Sequence, residues 1–140
     1  MVQMDESEKP TADLYRDDAP TPRTVFTYIN DHGDVVVELY DHGPECEKFF
    51  GKSDYERSAF VPHDNKDALI AALIEEVFGR LGESAWRFDA FCESQGVSKE
   101  DADPLVIALI DKLLGGQVDA VDKFLAFCKQ KNVPCHLWSW

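Results

Sequence analysis

Two segments of this chain align without a gap at an offset of 36 residues. Residues 69–97 read LIAALIEEVFGRLGESAWRFDAFCESQGV, and residues 105–133 read LVIALIDKLLGGQVDAVDKFLAFCKQKNV. Ten of the 29 positions are identical, among them Gly79/Gly115, Phe88/Phe124 and Cys92/Cys128. A match that includes Gly, Phe and Cys predicts two copies of one helical hairpin, over 67–97 and 103–133. The unit is close in length to a tetratricopeptide unit but lacks its Trp, Leu-Gly and Tyr positions, and two units are too few for a solenoid.

Each copy has the same internal logic. Leu69, Ile70, Leu73, Ile74, Val77 and Phe78 form one stripe at helical spacing, matched by Leu105, Val106, Leu109, Ile110, Leu113 and Leu114. Gly79 and Gly115 stand where a left-handed cap would end the first helix. Asp103-Pro104 suits a helix start. The second helices are expected over about 84–95 and 118–131, stopped by Gly96 and Asn132. Cys92 and Cys128 then fall on core faces, where a free Cys behaves as a small hydrophobe. The alternative, a redox or metal pair, lacks an activating group beside either thiol.

The region before the helices reads as β. RTVFTYIN and DVVVELY are rich in β-branched and aromatic residues and flank NDHGD, which predicts a hairpin over 24–40. YERSAFV (55–61) is a third candidate strand. ECEKFFGKSD (45–54) reads as a turn or a single helical turn. At the C-terminus, CHLWSW follows Pro134 and reads as a closing strand, with Leu137 inward and Trp138 and Trp140 outward. The expected fold is α+β: a small, mostly antiparallel sheet covered on one face by four helices, all within a single domain over 23–140. Residues 1–22 hold six acidic residues, two basic ones and three Pro, and read as a flexible acidic tail.

Charge and motifs narrow the function. The chain carries 27 acidic and 14 basic residues, a formal net charge of −13. Such a surface repels phosphate backbones and anionic membranes, which argues against nucleic-acid and membrane partners. The polar start and short apolar runs suggest a cytoplasmic protein with reduced thiols. No phosphate loop, dinucleotide fingerprint or nucleophile elbow is present, so no cofactor and no catalytic residue is assigned. The Cys/His spacings are too partial for a metal site.

Two classes of function remain. The favoured one is a protein that acts by contact, such as an immunity or antitoxin-like protein, an anti-defence inhibitor or an adaptor. Its interface candidates are Trp138, Trp140, Trp86, Tyr40 and Tyr55, and its acidic surface would suit a basic protein partner. The alternative is a small enzyme using Cys46 with His42 or His63.

Overall fold

The computed structural model describes residues 2–4, 9–17, 22–42, 54–79 and 81–139; for residues 42, 54, 55 and 81–84 it describes the backbone alone. Six strands form one sheet in chain order: β1 (Gln3–Met4), β2 (Pro10–Arg16), β3 (Arg23–Ile29), β4 (Val35–His42), β5 (Asp54–Val61) and β6 (His136–Ser139). Every neighbouring pair is antiparallel. A single 3-10 turn at His63–Asn65 leads into four helices: α1 (Lys66–Phe78), α2 (Leu81–Gln95), α3 (Ala102–Leu114) and α4 (Ala120–Gln130). The α+β class is as expected, but the sheet is larger than the one read from the sequence.

The two additional strands come from the segment expected to be a solvated tail. Pro10 opens β2, a position where its missing N–H costs no ladder bond. Thereafter Ala12 and Leu14 point into the core, with Leu14 only 3% exposed, and Asp13 faces water. The register with β3 shifts between Asp13 and Tyr15, as a β-bulge does. The Leu14 carbonyl accepts the Gly116 N–H at 2.5 Å, which ties β2 to the loop after α3. Lys9 Nζ reaches Asp31 Oδ1 at 2.6 Å, across to the β3–β4 turn. Net acidity misleads here because period-2 burial needs only two or three small apolar residues when a neighbouring strand supplies the ladder.

The β3–β4 hairpin follows its turn chemistry. Asn30 Oδ1 accepts the His32 and Asp34 N–H groups, both at 2.9 Å, and Gly33 takes φ 81°. Asp34 Oδ1 in turn accepts the His63 N–H at 2.9 Å, which fixes the start of the helical region against the turn.

The helices do not share the sheet equally. α3 lies along β2 and β3, and α4 against β4 and β5; α1 packs chiefly on α3, and α2 on α1. Leu105 through Ile110, six consecutive residues of α3, are therefore all buried, because this helix has the sheet on one side and α1 on the other. α1 buries only Leu69, Leu73 and Phe78. The bounds of α1 and α3 keep the offset of 36 residues. Their surroundings differ, however, and a duplicated packing unit is not what the fold displays.

The expected helix ends are met in part. Gly79, Gly96 and Asn132 all have positive φ. Gly115 does not: it sits at φ −57°, and Gly116 is the residue at φ 83°. α3 begins at Ala102 with Asp101 before it, so Asp103 and Pro104 occupy its first turn. Cys92 and Cys128 are both buried, as their helical spacing requires. Cross-element ion pairs join Lys66 to Asp103 (2.5 Å), Arg57 to Asp122 (2.7 Å) and Lys131 to Glu76 (3.4 Å).

Candidate functional site

Strand register sorts the sheet into two faces. Val25, Ile29, Val35, Val37, Ala59 and Val61 lie on one face and share a single apolar core with α3 and α4. The other face is read in rows across the strands: Phe26, Glu38, Ser58 and Trp138; Tyr28, Val36, Phe60 and His136; Thr24, Tyr40 and Glu56. Among the described residues no helix covers this face. Phe26, Tyr28, Glu38, Tyr40, Glu56 and Phe60 are half-buried, His136 is exposed and Trp138 is 44% exposed.

Its side chains are ordered by one another. The Phe26 and Tyr28 rings stack at 5.5 Å, and Phe60 meets His136 at 5.2 Å. Glu38 Oε1 accepts hydrogen bonds from Tyr28 Oη at 3.0 Å and from Ser58 Oγ at 2.9 Å. The result is an open basin of about 630 Å³ whose wall includes Tyr28, His32, Asp34, Glu38, Phe60 and Trp138. It combines aromatic surface, the residue type enriched at interface centres, with carboxylates.

Burial, and next to it the Glu38 carboxylate, hold the Tyr28 phenol well above its ordinary value of 10.0. A raised folded-state pKa means that this contribution to stability is complete below the unfolded value and fades as pH rises past it. Tyr28→Phe should accordingly flatten the alkaline loss of stability above about pH 10 while costing roughly 1 kcal/mol at neutral pH. Urea denaturation of both proteins across that range checks this; parallel curves would place the alkaline transition elsewhere.

The residues singled out from the sequence are dispersed. Trp138 and Tyr40 lie on the open face. Trp86, 70% exposed, stands on α2 beside a separate groove with Phe78, Phe91 and Lys112. Trp140 and Cys46 lie outside the described residues, and the side chains of Tyr55 and His42 are likewise not described. His42 ends β4 opposite Asp54, whereas His63 follows the other end of the β4–β5 ladder, two residues past Val61, which faces Val35. The β4 positions at these two ends are seven residues apart, roughly 24 Å at the rise of a strand, so the two His stand at opposite ends of the ladder. His63 instead faces its neighbour, Nε2 to Asp64 Oδ1 at 3.0 Å, and is exposed. Among the described residues no three His, Cys, Asp or Glu groups come together to hold a metal ion, and no helix is long and apolar enough to cross a membrane.

Leu137 departs from expectation. It is 49% exposed, although its partner Ala59 is fully buried. β6 is an edge strand, and α4 lies over β4 and β5 rather than over β6, so the inward side of β6 has little to pack against. Sequence reasoning missed Phe26, Tyr28, Glu38 and Phe60. The signal was present in RTVFTYI, where large residues occupy both alternating sets and one set must face away from the helices.

These features define an α+β protein with a helix-backed sheet and an open aromatic–acidic face. No protein-family model, curated protein or solved structure matches the chain.

Proposed function

We propose that this chain acts by binding another protein through the open face of its sheet, as an inhibitor of the immunity or antitoxin-like kind, an anti-defence inhibitor or an adaptor. The observation that carries this reading is the row Phe26–Glu38–Ser58–Trp138 with its neighbours Tyr28 and Phe60. Four large aromatic side chains gather there around the Glu38 carboxylate, which accepts hydrogen bonds from Tyr28 and Ser58; Phe26, Tyr28 and Phe60 are half-buried and Trp138 is exposed. Exposed aromatics around a polar centre are the usual anchors of a contact surface. The net charge of −13, together with Asp13, Asp34, Glu38 and Glu56 on or beside this face, favours a basic partner and would accelerate encounter.

The test is affinity capture with the tagged chain, followed by titration of the recovered partner against single variants. Trp138→Ala should weaken binding by about 2 kcal/mol or more while changing stability little, since the side chain lies on an edge strand. Trp86→Ala, on α2, should leave binding unchanged. Raising salt should slow association more than it alters dissociation. A partner that is lost with Trp86→Ala and kept with Trp138→Ala would move the contact surface to the helices and overturn the proposal.

A further inference from the structure

Cys128 and Cys135 are brought together by the way α4 ends. The helix stops at Gln130, Asn132 takes φ 58°, and the Val133 N–H returns to the Cys128 carbonyl at 2.9 Å. The chain thus reverses within a few residues, and Cys135 arrives beside Cys128 just before β6. The two thiols share a hydrogen bond, with Cys128 donating and Cys135 accepting. Their surroundings are unequal. Cys128 is fully buried in the core, whereas Cys135 is half-buried and forms part of the wall of a cavity of about 360 Å³ with Leu125, Ala126, Lys129 and Val133.

We propose that Cys135 and Cys128 form a thiol–disulfide exchange site, in which Cys135 attacks a small organic disulfide of the glutathione class and Cys128 resolves the adduct. Nothing in the contact function requires this pair, and the inference does not depend on that function. The asymmetry assigns the roles. An attacking sulfur must be reachable and thiolate-prone; Cys135 is at the cavity wall and accepts a hydrogen bond at sulfur. That hydrogen bond from Cys128 holds the Cys135 thiol below its ordinary range, while the same bond and burial hold Cys128 above its own. A resolving sulfur needs only to be adjacent.

The exchange balances. The Cys135 thiolate forms a bond to one sulfur of the small disulfide and expels the other as a thiolate. That thiolate takes the Cys128 proton, and the Cys128 sulfur then attacks Cys135 Sγ and releases the second small thiolate, which is protonated from solvent. The small disulfide is reduced to two thiols, and the protein dithiol is oxidised to a Cys128–Cys135 disulfide. The bond would tether the end of α4 to the start of β6.

The experiment mixes the reduced full chain with oxidised glutathione at neutral pH, quenches in acid, alkylates and maps the thiols by mass spectrometry. Wild type should accumulate an internal Cys128–Cys135 disulfide, and Cys135 should react at least about tenfold faster than buried Cys92. Cys128→Ser should stop at glutathione linked to Cys135, and Cys135→Ser should leave Cys128 unmodified. The proposal falls if wild-type Cys135 reacts no faster than Cys92, or if the internal disulfide does not form. It also falls if Cys135→Ser is modified at Cys128 as quickly as wild type is at Cys135. The wild-type map needs no variant and decides the question even if Cys128→Ser folds poorly.

Discussion

Removing residues 1–17 should lower the melting temperature by well over ten degrees. The deletion takes away β1 and β2, exposes the ladder edge of β3, and uncovers the part of α3 that lies on β2. Leu14 alone makes the point. It is buried in the main core, and Leu14→Ala should cost about 2–5 kcal/mol as a core truncation. In a chain of this size each kcal/mol corresponds to roughly 3–5 °C. The full deletion should exceed the point variant, because it also removes Ala12, the Thr11 Oγ1 bond to the Thr27 carbonyl at 3.1 Å and the Gly116 bond to Leu14. Thermal and urea denaturation of the two variants measure both effects. A deletion variant that melts within a few degrees of wild type would show that β2 contributes nothing to the fold. Asp13→Asn provides a control: Asp13 faces water, and a surface change of this kind should stay within about 0.5 kcal/mol.

Ile107→Asp should unfold the protein, whereas Ala71→Asp should be nearly silent. The two positions are equivalent in the offset-36 alignment, and neither belongs to the apolar stripe that the helical spacing defines. In the fold they part company. Ile107 is fully buried within α3, and Ala71 is exposed on α1. A carboxylate at 107 would be buried without a designed partner, at a cost of more than about 4 kcal/mol, a large part of the 5–15 kcal/mol that holds a typical domain together. At 71 the change costs only helix propensity, about 0.7 kcal/mol. Circular dichroism and chemical denaturation of both variants give the comparison. Equal, mild effects would mean that the two hairpins occupy equivalent environments after all; equal, severe effects would mean that α1 is as enclosed as α3.

This contrast shows why part of the fold was legible in the sequence and part was not. Helix spacing found all four helices within a few residues, because an apolar stripe is a local property. It missed that α3 is buried on every side from Leu105 to Ile110. The run LVIALI does signal this, but only when Ile107 and Ala108 are read together with the stripe instead of being excluded from it. The open face was legible in the same limited sense. Phe26 and Tyr28 alternate with Val25, Thr27 and Ile29, and a strand with bulk on both sides must present one side to something other than the core. Nothing local says which side. The link between Tyr28, Glu38 and Ser58 joins three strands and exists only once the β3–β4–β5 register is set.

The pairing of Cys128 with Cys135 is of the same kind. Helical spacing aligned Cys128 with Cys92 and placed both inside, which the structure shows. The partner that matters to its chemistry lies beyond the helix end, and the approach depends on the left-handed turn at Asn132.

The sequence by itself determined the hairpin turn, through Asn30 and Gly33, and the stops at Gly96 and Asn132. It also determined the strand character of residues 55–61 and of the segment CHLWSW, and the inward placement of Cys92 and Cys128. Each of these rests on φ/ψ preference or side-chain periodicity within a few residues. Only the tertiary structure decided that an acidic N-terminal segment becomes a strand, that α3 and α4 take the sheet while α1 and α2 stack behind, and that Leu137 stays in water. Those outcomes depend on which surfaces meet across long stretches of chain. Ala12 and Leu14 are buried because β3 and α3 are there to receive them; Leu137 is exposed because α4 lies over β4 and β5, and the edge strand beyond them has no helix of its own.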